Sequence, residues 1–351
     1  MDTVTHALSG ALLARATAPA PTPDALPLRR RVVLGFLAAA APDLDFVAGY
    51  LGQITFLYHH RGITHSLILL PLWSLLLAHL CAFVWRRDRP WRAYFGIIAL
   101  GIGAHIAGDW ITSFGTMVFA PFSDARHALG VTFIIDLWFT GIILAGLVVC
   151  LLWRHSRTPA VAGCVVLCIY VAFQFVQQQR AIDWGEAYAR SAGLTQATVT
   201  AQPRPVSPFN WMVIVRSGDD VRYSFVNLVR REALQPAPDD GFIRRLDAAY
   251  LPLAQAQWVR ASHFGTTDTE REFARAAWQQ PQFEFFRWFA EEPVLLRIDA
   301  GNPAACAWFQ DLRFFTPGRN TWPFRYGMCR SEAGRWDVFE LTGDTTRRAV
   351  R

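Results

Sequence analysis

Five apolar stretches of about 20 residues, at roughly 32–50, 66–85, 93–112, 131–153 and 160–179, dominate the first half of this 351-residue chain. A stretch of that length crosses the hydrocarbon core of a bilayer as one helix, the form in which a single segment satisfies its own backbone polar groups in lipid. A shorter apolar run at 3–17 precedes them. Arginine-rich clusters separate the runs: "LRRR" (28–31), "RRDRPWR" (86–92) and "RHSR" (154–157). Threaded through six spans, all three clusters fall on one side, which the positive-inside rule makes the cytoplasm. Residues 1–180 are therefore expected to form an α-helical membrane domain of about five to six transmembrane helices.

The segment that opens the chain has no basic stretch ahead of its apolar part and carries Asp2 and His6 early, so it reads as retained rather than as a cleaved leader. Residues 181–205 read as a linker running into the proline-bearing "AQPRPVSPF". Residues 206–351 have ordinary soluble composition and read as an α+β domain. "WMVIVRSGDDVRYSFVNLVRRE" has the pattern of two strands about a Ser-Gly-Asp-Asp turn, and "TDTEREFARAAW" that of a capped helix. The topology places this domain outside the cytoplasm, where Cys306 and Cys329 either pair or remain buried thiols. The formal charge of +6 comes largely from the juxtamembrane clusters. No long basic face interleaved with aromatics stands out, so no nucleic-acid partner is expected.

The stretch "HHRGITHS" (59–66) holds the densest group of imidazoles, at the mouth of an apolar span. His6 lies near the outer end of the first run, and "APDLDF" puts Asp43 and Asp45 toward the outer part of the next. His59, His60 and His65 follow in the loop. His105 and Asp109 in "GAHIAGDW" are four apart, which places them on one helix face. Separate spans thus bring His and Asp to one membrane face. Ionisable groups in apolar helices are costly and mark sites, and imidazoles with carboxylates suit Zn²⁺ first, with Mn²⁺ or Fe²⁺ as alternatives. His79, His127, His155 and His263 lack such companions and read as packing residues. A phosphate-binding glycine loop with lysine, a G-x-S-x-G elbow and H-E-x-x-H are all absent.

The motifs "DTVTHALSG", "APDLDF", "HRGITHS" and "GAHIAGDWITSFGTMVFAPFS" resemble the YdjM-like family of membrane-bound metal-dependent hydrolases of bacterial inner membranes. The resemblance covers roughly residues 1–180. It implies a helical membrane domain, divalent-metal hydrolysis and a multi-pass protein of the bacterial cytoplasmic membrane. The family's His and Asp positions match His6, Asp43, Asp45, His59 or His60, His65, His105 and Asp109.

The expected function is hydrolysis, at the outer membrane face, of an ester or phosphoester in a lipid-like or other amphiphilic small molecule. His6, His65, His105 and Asp109 are the first ligands expected, with Asp43 and His59 completing the metal set. Asp43 and Asp45 would bridge a second metal or orient ligand imidazoles. His60 is a candidate general acid–base, and Arg61 a holder of an anionic group such as phosphate. A second class stays open: a non-catalytic metal-binding membrane protein serving transport or sensing. It would need a polar path across the membrane, and the inner halves of the spans are apolar apart from His79. A third is a partner-binding membrane protein whose soluble tail does the work.

Overall fold

The computed structural model describes residues 1–20, 25–85, 88–237, 239–299, 304–319 and 322–350; Arg86 and Arg87 of the second arginine cluster lie outside them. The chain divides into two units, Met1–Ala48 with His59–Phe175, and Gly49–Tyr58 with Val176–Arg351.

Helix α1 (Thr3–Ala16) starts where the Asp2 carboxylate accepts a hydrogen bond from the Thr5 N–H, satisfying one of the free donors of a first turn. It packs on α2 (Leu28–Ala40) with backbones in contact. A Cβ added at Gly10 would lie 2.1 Å from the Gly35 oxygen, so neither glycine tolerates a side chain. Small residues at a crossing are how helices approach closely in membranes. Pro42 cannot donate to the preceding turn, and the chain after α2 tightens into a 3-10 turn over Ala41–Leu51.

Helix α3 (Gln53–His59), a single turn at Ile63–His65, α4 (Leu70–Val84) and α5 (Arg92–Trp110) follow. Ile97, Ile98, Ile102 and Ile106 of α5 pack with Leu34 and Ala38 of α2 and Ala78 of α4. Asp136 caps α6 (Leu137–Leu152) by accepting from the Trp138 and Phe139 N–H groups, both at 2.9 Å. Helix α7 (Thr158–Ser191) joins α1 and α6 through Leu12, Phe139, Ile143, Ala160 and Leu167.

By length and composition Leu28–Leu51 and Thr158–Ser191 can cross a membrane; the pair Gln53–His65 and Leu70–Val84, bent by 79°, makes a third if it is one span. The five to six spans expected from the sequence are not reached by that measure. Helix α1 has 14 residues and α6 has 16, about 21 and 24 Å of rise against a core of about 30 Å. Helix α5 carries Arg92, His105 and Asp109 within its 19 residues.

The second unit is sheet-rich. Strands β1 (Thr198–Pro203), β2 (Asn210–Ser217), β3 (Asp220–Asn227) and β4 (Leu251–Pro252) lie in that order, and β5 (Val259–Ser262) also pairs with β3. Strands β6 (Pro293–Asp299), β7 (Ala304–Asp311), β8 (Arg325–Ser331), β9 (Trp336–Leu341) and β10 (Arg347–Ala349) form an antiparallel meander. Helices α8 (Phe242–Ala248), α9 (Asp268–Trp278) and α10 (Glu284–Phe289) come between the sheets in sequence.

The expected β2–β3 turn is present, with Ser217 opposite Asp220 and Gly218 at φ +60°. Helix α9 opens on a capping box between Thr267 and Glu270. The stretch 181–205, expected as a linker, is ordered instead: α7 continues to Ser191 and β1 begins at Thr198. Its apolar positions Ala181 and Ala201 pack with Trp211, Val213 and Val226, and that burial replaces the irregular chain the prolines suggested. Cys306 and Cys329 face each other across β7 and β8 and form a disulfide.

Candidate metal centre

Helix α5 brings His105 and Asp109 to one face, both fully buried. The tightened turn after α2 supplies Asp43 and Asp45. With three residues per turn, positions two apart point different ways. Asp43 accepts from the Thr3 hydroxyl at 2.5 Å and approaches His65 and His105; Asp45 turns to the loop 60–64. The turn Ile63–His65 delivers a buried His65, and α1 a buried His6.

Hydrogen-bond partners assign the tautomers. His105 Nδ1 lies 2.6 Å from the Ala39 carbonyl, which can only accept, so Nδ1 carries the proton and Nε2 a lone pair. The residue that would donate to that carbonyl in a 3-10 turn, Pro42, has no N–H and does not compete for it. The Thr64 hydroxyl donates to Asp45 Oδ2 at 3.0 Å and accepts from His65 Nδ1 at 2.9 Å. The neutral form of His65 held in this way presents a bare Nε2.

The two Nε2 atoms stand 2.8 Å apart. Asp109 Oδ2 lies 3.1 Å from that of His65 and 3.4 Å from that of His105; Asp43 Oδ1 lies 3.8 Å from His65 Nε2 and 3.5 Å from His105 Nε2. Asp109 Oδ2 is buried without a hydrogen bond. Four acceptor atoms thus converge within 4.8 Å of one another. Buried lone pairs that face one another repel, and a cation among them removes the repulsion. Ligands at about 2.1 Å on a tetrahedral centre lie about 3.4 Å apart. The spacings between these atoms bracket that value, so Asp43, His65, His105 and Asp109 fit a divalent ion.

The remaining expected residues surround this group. His6 Nε2 is 3.0 Å from Asp109 Oδ1, the oxygen turned away from the four-atom gathering, and its ring stacks on His105 at 3.7 Å. Arg61, which was expected to hold a substrate anion, is buried and pairs with Asp109 Oδ1 at 2.8 Å and Thr112 Oγ1 at 3.0 Å. Its positive φ of 60° reverses the chain. His59, expected as a ligand, is consequently left at the exposed end of α3, apart from the four acceptors.

Asp45 accepts from His60 Nδ1 at 2.7 Å, the Arg61 N–H at 2.9 Å and Thr64, so it organises the loop and has no oxygen directed at the ion position. His60 keeps 17% of its side chain exposed, with its ring 6.1 Å from that of His65. The Ala39 carbonyl, Thr3, Thr112 and the buried Met1 amino group, which pairs with Asp109 Oδ1, are the site groups that the sequence did not announce. Only the proline three residues after Ala39 signalled any of them.

The model of the family described as YdjM inner membrane protein matches residues 1–181. The uncharacterized protein YfhP of Bacillus subtilis (strain 168) is 27% identical over 180 residues, covering 50% of this chain and 54% of that protein. The chain thus spans about half the length of that curated relative. No solved structure matches.

Proposed function

The chain belongs to the YdjM inner membrane protein family, and from that premise we propose that it is a membrane-bound, divalent-metal-dependent hydrolase. The observation that carries this reading is the pair of fixed, bare imidazole nitrogens 2.8 Å apart beside two carboxylates. Asp43, His65, His105 and Asp109 would hold the ion, and two nitrogens with two oxygens favour Zn²⁺ over Mn²⁺ or Fe²⁺. Bound there, the ion supplies Lewis acidity, which acidifies water and polarises a carbonyl or phosphoryl group.

The chain's own residues divide the rest. Arg61 and His6 hold Asp109 through its other oxygen, and the Thr64–Asp45 relay keeps His65 in one tautomer. His60, oriented by Asp45 through Nδ1 and partly exposed, offers Nε2 to take a proton from water and return it to a leaving group.

A site among membrane helices suits an amphiphilic ester or phosphoester. The Cys306–Cys329 disulfide supports an extracytoplasmic second unit, since such bonds persist in oxidising compartments. With the arginine clusters, it supports a multi-pass arrangement in which the short helices complete the bundle.

The test is elemental analysis of the full chain purified in detergent, beside His65→Ala and His105→Ala. Near-stoichiometric zinc, absent from both variants, followed by cleavage of ester or phosphodiester probes, supports the reading. Metal without cleavage of either probe class favours a non-catalytic metal-binding role. No metal after reconstitution with Zn²⁺, Mn²⁺ and Fe²⁺ sinks the proposal.

A further inference from the structure

The helices that carry the metal centre have a second charged end. In α1, His6 is near the start and Arg15 near the end; in α2, Arg31 is near the start and Asp43 follows the end. At the arginine end lies a cavity of about 840 Å³ lined by Arg15, Arg31, Arg89, Arg154 and Arg157. Among the described residues, no acidic residue lines it.

Among the described residues, Arg15, Arg31, Arg154 and Arg157 form no ion pair with a carboxylate, whereas neighbouring Arg30 pairs with Asp88. They donate to main-chain carbonyls instead. Arg15 reaches Arg154 O and Ser156 O, both at 2.7 Å, and Arg31 reaches Ala14 O and Thr17 O, both at 2.9 Å. Arg157 reaches Ala18 O at 3.3 Å.

Carbonyl dipoles fix the direction of a guanidinium without cancelling its charge. Arg15 is only 8% exposed, so part of this charge is withdrawn from water. Each guanidinium has five N–H donors, and the hydrogen bonds that Arg15, Arg31, Arg154 and Arg157 make use between one and three of them. Held forks without acidic partners, around a cavity of this size, suit the several oxygens of a phosphate.

We infer that this cavity binds a phosphate-bearing anion, either a soluble phosphate or the headgroup of an anionic lipid. The inference uses no residue of the metal centre and stands apart from the hydrolase reading. Juxtamembrane arginines also serve topology, and that role needs only charge at the surface. It does not need a cavity or carbonyl-fixed forks.

The experiment follows thermal unfolding and calorimetric binding of the full chain. One arm adds inorganic phosphate in neutral detergent. The other compares nanodiscs of phosphatidylcholine alone with nanodiscs doped with phosphatidic acid.

Three proteins are compared: wild type, Arg154→Gln/Arg157→Gln, and the control Arg29→Gln/Arg92→Gln, which removes equal charge outside the lining. The first pair spares Arg15 and Arg31, whose bonds hold α1, and an unchanged midpoint without ligand verifies that it folds. Loss of charge-assisted bonds is expected to weaken binding about tenfold or more in the cavity pair and to leave the control near wild type. Stabilisation by phosphate in detergent identifies a soluble ligand; stabilisation only by phosphatidic acid identifies a headgroup. If neither probe stabilises the wild type, or if both double variants weaken alike, the inference is overturned.

Discussion

Asp109 in the helical unit and Asp311 in the sheet-rich unit are both buried and both pair with arginine, yet they end in opposite states. Asp311 Oδ1 accepts from the Arg313 N–H at 3.0 Å, and its Oδ2 from Arg313 Nε at 2.8 Å and the Glu291 N–H at 3.1 Å. The same guanidinium pairs with Glu291, donates to Phe289 O and lies near the Phe289 and Phe314 rings. Both oxygens are satisfied, and nothing is left to bind a ligand. Asp109 has Oδ1 held by Arg61 and His6, while Oδ2 faces two imidazole lone pairs without a hydrogen bond. Buried charge alone therefore does not mark a site. Acceptors gathered in excess of donors do.

The largest expected effect tests the saturated side. Asp311→Ala leaves the buried Arg313 charge with one carboxylate partner, Glu291, in place of two and removes the acceptor of two main-chain N–H groups, and should cost about 3–5 kcal/mol. Denaturant unfolding of the second unit would measure it. Metal content should stay unchanged; a parallel loss of metal would break the distinction.

Gly10→Ala is expected to cost about 1–3 kcal/mol, because the new Cβ drives α1 off Gly35. Thermal unfolding in detergent reads this. If His6 is a support for Asp109, the variant should weaken the metal without abolishing it.

Thr64→Val keeps shape and removes the relay to His65 Nδ1. Loss of such an orienting partner should lower metal affinity about 10–100-fold, read by chelator competition. An unchanged affinity would mean that Asp45, 3.3 Å from the same nitrogen, suffices alone.

The effect that is smallest at neutral pH, and grows only on acidification, concerns an imidazole far from any carboxylate gathering. Burial, helped by Arg216, lowers the His263 pKa to about 4. The unfolded chain takes up that proton near pH 6.5 and the folded one does not. Stability of the second unit should therefore fall as pH drops below about 6.5 and level off below about 4. In His263→Phe, which can still stack on Phe264, this share of the slope should vanish in pH-dependent unfolding.

Much of the candidate site was legible in the sequence. His105 and Asp109 had to share a face once the span was helical, and "APDLDF" and "HHRGITHS" announced their neighbours. The division of labour within those motifs was not legible. It depends on the left-handed backbone at Arg61, which separates His59 from His65, and on the tight turn that sends Asp43 and Asp45 apart. Arg61 looked like a ligand for substrate because sequence shows a charge but not the buried carboxylate that claims it. The helices are shorter than the apolar runs suggested because those runs continue into turns and loops, which hydropathy counts and a helix does not. The order in 181–205 came from strand pairing of β1 with β2, a contact no local pattern announces.

The proline at 42 has a consequence beyond ending a helix. An imidazole in isolation divides itself between two neutral forms, and a coordinating site that accepts both would be correctly armed only part of the time. The nitrogen of residue 42 has no hydrogen to compete for the Ala39 oxygen; His105 donates to that oxygen, and the ring keeps one form. A gap in the main chain of one helix thus sets the protonation of a side chain on another, before any ion arrives.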